Sequence, residues 1–233
     1  MEGGFGPRVI FELPGGILIT ETVTTTWIIM AVLTIFALVA TRRFDKVPRG
    51  LQNVVELLVD GIYKLTAQTM GEDKKAFAPY IGTLMMYLVC ANLAGLFGFR
   101  PPTADINTTM ALALMTFFMI HFFGMKRKGI GSYLKGFLEP FPALLPINVI
   151  GEIATPISLS FRLFGNIIGG VIIMNLLYGA LAALSQSVGI PSIPVFQTAI
   201  PTVFHLYFDV FAGVLQSFIF AMLTMVFVSI AMD

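Results

Sequence analysis

Pro156-Ile157-Ser158-Leu159-Ser160-Phe161-Arg162-Leu163-Phe164-Gly165-Asn166-Ile167-Ile168-Gly169-Gly170 is an apolar, glycine-containing run interrupted by one arginine. Arg162 is the only Lys or Arg among the 98 residues that follow Lys135. A guanidinium keeps its charge under biological conditions. At the centre of a membrane helix it costs roughly 2.5–3.5 kcal/mol on insertion scales. A charge kept at that cost marks a functional position.

The whole chain supports a membrane setting for this run. Of its 233 residues 57% are hydrophobic and 12% charged, and the mean hydropathy is +0.88. Soluble domains carry about 25% charged residues, so the chain is an integral membrane protein. A net charge of +1 with no Lys/Arg run longer than three residues gives no reason to expect a nucleic-acid partner. Cys90 is the single cysteine and lies in an apolar run, which excludes a disulfide framework and a cysteine metal site. The segment before the first apolar run holds Glu2, Glu12 and Glu21 against Arg8, unlike a cleavable signal peptide.

Outward from Arg162, hydropathy divides the chain into five crossings within one membrane domain, residues 1–233. The fold class is all-α, with residues 1–22 as an external N-terminal segment. The first span covers 23–41, and Arg42, Arg43, Lys46 and Arg49 follow it, placing that end in the cytoplasm. Over 51–70, Leu51, Val54, Val55, Leu58, Ile62 and Leu65 recur at helical spacing opposite Gln52, Glu56, Asp60 and Lys64. That pattern predicts an amphipathic helix lying in the interface. Residues 71–75 read as a wet turn. Spans at 78–99 and 106–125 follow, the second ending at Lys126-Arg127-Lys128, again cytoplasmic. Residues 129–150, broken by glycines and prolines, read as a loop or re-entrant link. Two stretches, 147–188 and 194–232, exceed the roughly 20 residues needed to cross a bilayer. They predict two long, tilted, antiparallel helices joined near Gly189-Ile190-Pro191. Five crossings put the N-terminus outside and the C-terminus in the cytoplasm. No internal repeat is visible.

On a helix, Ser158, Arg162, Gly165, Asn166, Gly169 and Gly170 share one side. Gly165 and Gly169 have the small-xxx-small spacing that permits close helix approach. The reading is either internal packing with a buried ion pair or a charged face approached by something outside the chain. A second line runs along the last helix through His205, Asp209, Gly213, Gln216 and Ser217, with Thr198 and Thr202 continuing it. Protonatable groups along a helix face suit an aqueous half-path; alternatively Asp209 merely neutralises Arg162. Glu152, ten residues before Arg162, either serves a separate access path from the cytoplasm or lies among headgroups. Asn92 and Asp105 are polar positions toward the outer side. A His205/Asp209 metal or catalytic dyad is the enzyme alternative, but neither HExxH, GxSxG nor a Walker loop accompanies it.

At these residues the sequence resembles subunit a of the F-type ATP synthase. The resemblance rests on Ser160-Phe161-Arg162-Leu163-Phe164-Gly165-Asn166 and on Gln216-Ser217-Phe218-Ile219-Phe220-Ala221-Met222-Leu223-Thr224. Pro102-Thr103-Ala104-Asp105-Ile106-Asn107 and Arg49-Gly50-Leu51-Gln52-Asn53 add to it. It implies a non-catalytic stator channel of two offset half-channels, passing H⁺ or Na⁺ to a rotating c-ring and needing no cofactor. It implies Arg162 as the essential arginine, Gln216 as its neighbour, Asn166 as a polar neighbour and Asp209 as an ionisable residue of the outer half-channel; the helix-face reading above adds His205, Glu152 and Ser217 to the residues expected in ion translocation. Ser158, Gly165, Gly169, Gly170 and Gly213 are then expected to pack near the ring. The implied partners are the c-ring, the b-subunit peripheral stalk, the catalytic head indirectly and the lipid bilayer of a bacterial plasma membrane. An alternative of another class is a self-contained secondary transporter of small anions. Two departures stand out: Val171 where many members carry an acid or histidine, and Gly95 where some carry aspartate.

Overall fold

Residues 8–14, 16–42, 45, 47–187 and 195–233 are described in the computed structural model. Within the segment expected to precede the first span, β1 (Val9–Leu13) and β2 (Ile17–Thr20) form an antiparallel hairpin. It is the one exception to the all-α expectation among the described residues. Its strands are short and β-branched, and Pro14 and Gly16, the latter at φ 79°, supply turn chemistry.

Helix α1 (Glu21–Ala40) begins two residues before the expected boundary. Helix α2 (Leu51–Met70) has the expected bounds. Its first half stands off the rest of the chain with Leu51, Val54, Leu57 and Leu58 exposed, while Thr66 and Met70 are buried. The expected wet turn is a 3₁₀ segment, Glu72–Phe77, and one of its lysines is not wet. Lys74 is 6% exposed and donates to Ser229 Oγ at 3.0 Å and to Asp233 Oδ1 at 2.5 Å. A buried ammonium persists only with such partners, so the turn latches onto the far end of the chain.

Helix α3 (Ala78–Leu93) tightens to a 3₁₀ turn at Ala94–Phe97 and stops at Gly98, which is left-handed at φ 78°. Helix α4 (Ile106–Lys128) starts at Asp105, whose side chain accepts from the Asn107 amide at 3.0 Å, a conventional N-cap. Part of the predicted 129–150 link is helical: α5 (Ile130–Gly136) precedes α6 (Leu145–Ser187). Pro156 lies inside α6. Having no N–H, it leaves the Glu152 carbonyl, four residues back, without its helical donor. The expected junction near Gly189-Ile190-Pro191 lies outside the described residues. The last stretch is not one uniform helix. It consists of α7 (Val195–His205), a π-helical segment Leu206–Phe211, and α8 (Ala212–Met232). Among the described residues, five helical segments are long and apolar enough to cross a membrane.

Helices α3, α4, α6 and α8 form the centre. Leu88, Leu163 and Phe220 are almost wholly buried there, beside a second cluster around Ile81, Met225 and Val228. Lipid tails are as apolar as leucine, so helices in a membrane need close packing and polar bonds to associate. Both are present. Thr109 meets Ser160 at 3.0 Å across α4 and α6, and Thr116 meets Thr224 at 3.2 Å across α4 and α8. Thr22 donates to Asp105 at 3.0 Å, tying α1 to the start of α4.

Candidate functional site

Helix α6 presents two unlike faces over the arginine stretch. Leu159, Ser160, Leu163, Ile167, Gly170 and Met174 are buried at helical spacing. Ser158, Phe161, Arg162, Gly165 and Asn166 are exposed, and Gly169 is half-buried. A Cβ added at Gly165 or Gly169 meets nothing within 4 Å, leaving that surface low and open beside the guanidinium. None of the ion pairs among the described residues includes Arg162. Gly170 departs from the expected face: it is buried, and its added Cβ lies 3.6 Å from Phe208.

Two cavities touch α6, one on each side of Arg162 along the helix axis. The larger, about 680 Å³, is lined from α6 by Ile147, Asn148, Gly151, Glu152 and Thr155, with Lys128, Tyr133, Glu139 and α8 residues around them. The smaller, about 200 Å³, is lined from α6 by Asn166, Ile167, Gly170, Val171, Met174, Asn175 and Tyr178, and faces Asn92, Gly95, His205 and Asp209. At 1.5 Å per residue, Glu152 lies about 15 Å before Arg162 and Asn166 about 6 Å after it.

In the smaller cavity Asp209 is engaged by histidine, not by Arg162. His205 Nδ1 is 2.5 Å from Asp209 Oδ2, and its Nε2 is 3.0 Å from the Tyr178 hydroxyl. One tautomer satisfies all three groups: Nδ1–H donates to the carboxylate and Tyr178 O–H donates to Nε2. Val171 and Gly95, where the resemblance leads one to look for acids, line this same space. Asp209 from the opposite helix is its only Asp or Glu. The side chain of Thr198 lies outside the described ones.

Behind the larger cavity, His121 meets two of its lining residues: Nδ1 is 2.8 Å from the Tyr133 hydroxyl, and Nε2 is 3.9 Å from Glu152 Oε2. Burial, and then the nearby charge of Glu152, push the Tyr133 phenol above its ordinary pKa. The sequence reading singled out neither His121 nor Tyr133 as a site residue. The available signal was a histidine inside an apolar span, five residues before a basic cluster.

Other expected site residues are structural in this fold. Asn92 is buried; its amide donates to the Gly213 carbonyl and to Ser217 Oγ, each at 2.9 Å, and its Oδ1 accepts from Thr103 Oγ1 at 2.7 Å. Ser217 also donates to the Gly213 carbonyl at 2.8 Å. Gly213 therefore faces inward, with an added Cβ 3.1 Å from Asn92 Cβ, and not toward an outside partner. Asp105 caps α4. Gln216 is 6% exposed, and its Nε2 has no hydrogen-bond partner among the described residues.

An exposed arginine on a helix of membrane-crossing length, with a cavity toward either end of that helix, is the arrangement of an ion-translocating membrane protein. The chain belongs to the ATP synthase A chain family, whose model matches residues 23–229. It is 37% identical, over 96% of its own length and 84% of the relative's, to the sodium-ion-specific ATP synthase subunit a of Propionigenium modestum. It is 35% identical to ATP synthase subunit a of Moorella thermoacetica, covering 96% of this chain and 95% of that one. To the subunit a of Citrifermentans bemidjiense it is 43% identical, over 68% and 71%.

Proposed function

We propose that this chain is the stator subunit through which H⁺ or Na⁺ reaches and leaves the carboxylates of a rotating c-ring. It carries no catalytic step itself; ATP is made or hydrolysed in a head that it meets indirectly, through the ring and a b-subunit stalk. The observation that carries this reading is the open Arg162 face flanked by a cavity on either side.

The larger cavity serves as the cytoplasmic half-channel and Glu152 as its inner carboxylate. Lys128, at the end of the Lys126-Arg127-Lys128 cluster, lines that space, and basic clusters mark the cytoplasmic side. The N-terminus is then outside, the C-terminus in the cytoplasm, and the membrane a bacterial plasma membrane. The smaller cavity, with Asn166, His205 and Asp209, serves as the outer half-channel. Neither cavity contains Arg162 in its lining, so the two half-channels connect only through a carrier moving past the arginine.

A ring carboxylate facing lipid stays neutral because desolvation raises its pKa. Beside Arg162 its charged form gains about 4 kcal/mol at 4 Å and an effective dielectric of 20, about three pKa units. It therefore releases its ion on arrival and reloads from the other cavity after passing. The fixed positive charge repels a free cation and blocks a direct leak. Gly165 and Gly169 let the ring surface come close. A self-contained anion transporter is disfavoured because Asp209 is held by His205, and the cavity that Asp209 lines does not include Arg162.

The test is ATP-driven ion uptake in inverted vesicles with assembled wild-type, Arg162→Ala and Arg162→Lys complexes, with passive leak recorded alongside. Loss of uptake in both variants, with greater leak for alanine, is expected. Near-normal pumping by either variant, or a stable chain that never copurifies with a ring, refutes the reading.

A further inference from the structure

Behind the wall of the larger cavity, in reach of Glu152 and Tyr133 that line it, lies a histidine that the stator reading does not yet use. We propose that His121 exchanges protons with Glu152 and so supplies the proton path on this side of Arg162, with Tyr133 fixing its orientation. The proposal rests on the stator reading and deepens it by making the proton the species that passes this cavity.

His121 is anchored at one ring nitrogen and open at the other. Nδ1 meets the Tyr133 hydroxyl at 2.8 Å, and the ring packs edge-on to Phe117 with centroids 4.1 Å apart. Nε2 is buried, has no hydrogen-bond partner among the described residues, and lies 3.9 Å from Glu152 Oε2. That separation is too long for a hydrogen bond. One bridging water, or a small rotation of the 37% exposed Glu152 side chain, closes it. The backbone carbonyl of Glu152, freed by Pro156, is a further acceptor for such a water. The titratable and charged groups facing this space are Lys128, Tyr133, Glu139 and Glu152. Among the described residues, the α8 side chains that line it are Phe227, Ile230 and Ala231, none of them an acid.

The proton balance is closed. Protonated Glu152 loses its O–H proton to the Nε2 lone pair, leaving a carboxylate beside an imidazolium. The imidazolium then gives the Nε2 proton to a water bridging it to the Glu152 side of the cavity, and the neutral ring is restored; the reverse order loads Glu152. Throughout, Nδ1–H donates to the Tyr133 oxygen. Tyr133 stays a neutral phenol over the working range, because burial and the Glu152 charge both oppose its ionisation.

The experiment uses inverted vesicles with assembled His121→Ala, His121→Gln and Tyr133→Phe complexes from pH 6 to 8.5 in Na⁺-free buffer. Coupled ATP hydrolysis is the readout wherever imidazole is added, because the free base crosses lipid and dissipates a pH gradient. The alanine variant is expected to pump roughly tenfold more slowly, below the full contribution of a positioned acid–base group. Added imidazole, which the 680 Å³ space accommodates, restores coupled hydrolysis in His121→Ala. The glutamine variant is slow and unresponsive, since glutamine bonds Tyr133 without exchanging protons. Tyr133→Phe keeps most of the rate and moves the midpoint of the pH profile. A His121→Ala complex with the wild-type rate and pH profile, or one that is slow but indifferent to imidazole, overturns the proposal. Arg162→Lys in the same preparation separates the two levels of inference. If it pumps normally the stator reading has failed; if it is inactive while His121→Ala is normal, only the role of His121 has.

Discussion

Replacing Asn92 by alanine tests how far polar bonds, as distinct from apolar packing, hold the centre of this bundle. Alanine keeps the Cβ that packs on Gly213, so the change isolates three hydrogen bonds: two donated, to Gly213 O and Ser217 Oγ, and one accepted from Thr103. Ser217 and the Gly213 carbonyl still have each other at 2.8 Å. Those two losses therefore sit near the average of about 0.6 kcal/mol for interhelical bonds in membranes. The wholly buried Thr103 hydroxyl loses its acceptor, which costs about 1–3 kcal/mol. Together the expected destabilisation is about 2–4 kcal/mol. Thermal unfolding of the detergent-solubilised complex, following this chain, measures it. Thr83→Ala is the control, because Thr83 bonds only within its own helix to Pro79 O on an exposed face. The double variant Asn92→Ala/Thr103→Val removes the orphaned hydroxyl and should regain about 1 kcal/mol or more. Equal stability for Asn92→Ala and the control, with no gain in the double variant, refutes the reasoning.

Gly165→Leu should leave the chain's own folding within about 0.5 kcal/mol of wild type, as for surface changes generally, since nothing lies within 4 Å of its Cβ. It should nevertheless abolish ATP-driven uptake in assembled complexes; normal uptake would mean the face is not a sliding contact. At the other end, the hydrogen bond from Lys74 holds the Asp233 carboxyl below its ordinary 3.8. A folded-state pKa lowered in this way contributes stability above pH 3.8 that disappears as the pH falls through the lowered value. Asp233→Asn should flatten that acid limb of the stability profile, and an unchanged limb would exclude the latch as its source.

Hydropathy alone was enough to find the five crossings, because lipid imposes apolar length on any spanning helix. The α2 bounds were legible for another reason: a helix with one apolar face repeats its apolar residues at helical spacing, and that repeat stops at the helix ends. What failed had a physical cause. Lys74 read as solvated because its partners, Ser229 and Asp233, are more than 150 residues away; no local pattern announces a bond of that range. The bonds of Gly213 and Ser217 to Asn92 were likewise not legible, because helical spacing shows only that they stand in line with Asp209. Only the tertiary fit shows Asn92 filling their side of the helix. The open Arg162 face was legible, since a charge among glycines at i+3 and i+7 has few uses inside a bundle. His121 and Tyr133 were not, because they come from different helices and meet only through the turn at Gly129.

The π-helical segment Leu206–Phe211 gives the last helix a tolerance of length that a uniform helix lacks. A π turn carries one residue more than the α turn it replaces, and each residue of an α-helix advances the phase by about 100°. Excising a single residue there would let the segment relax to α geometry with the helix on either side kept in phase. The His205–Tyr178 contact and the Asn92–Ser217 seam would both stay in register. Single-residue gaps in alignments of such chains are therefore structurally cheapest between 206 and 211, and a gap placed downstream would shear the seam.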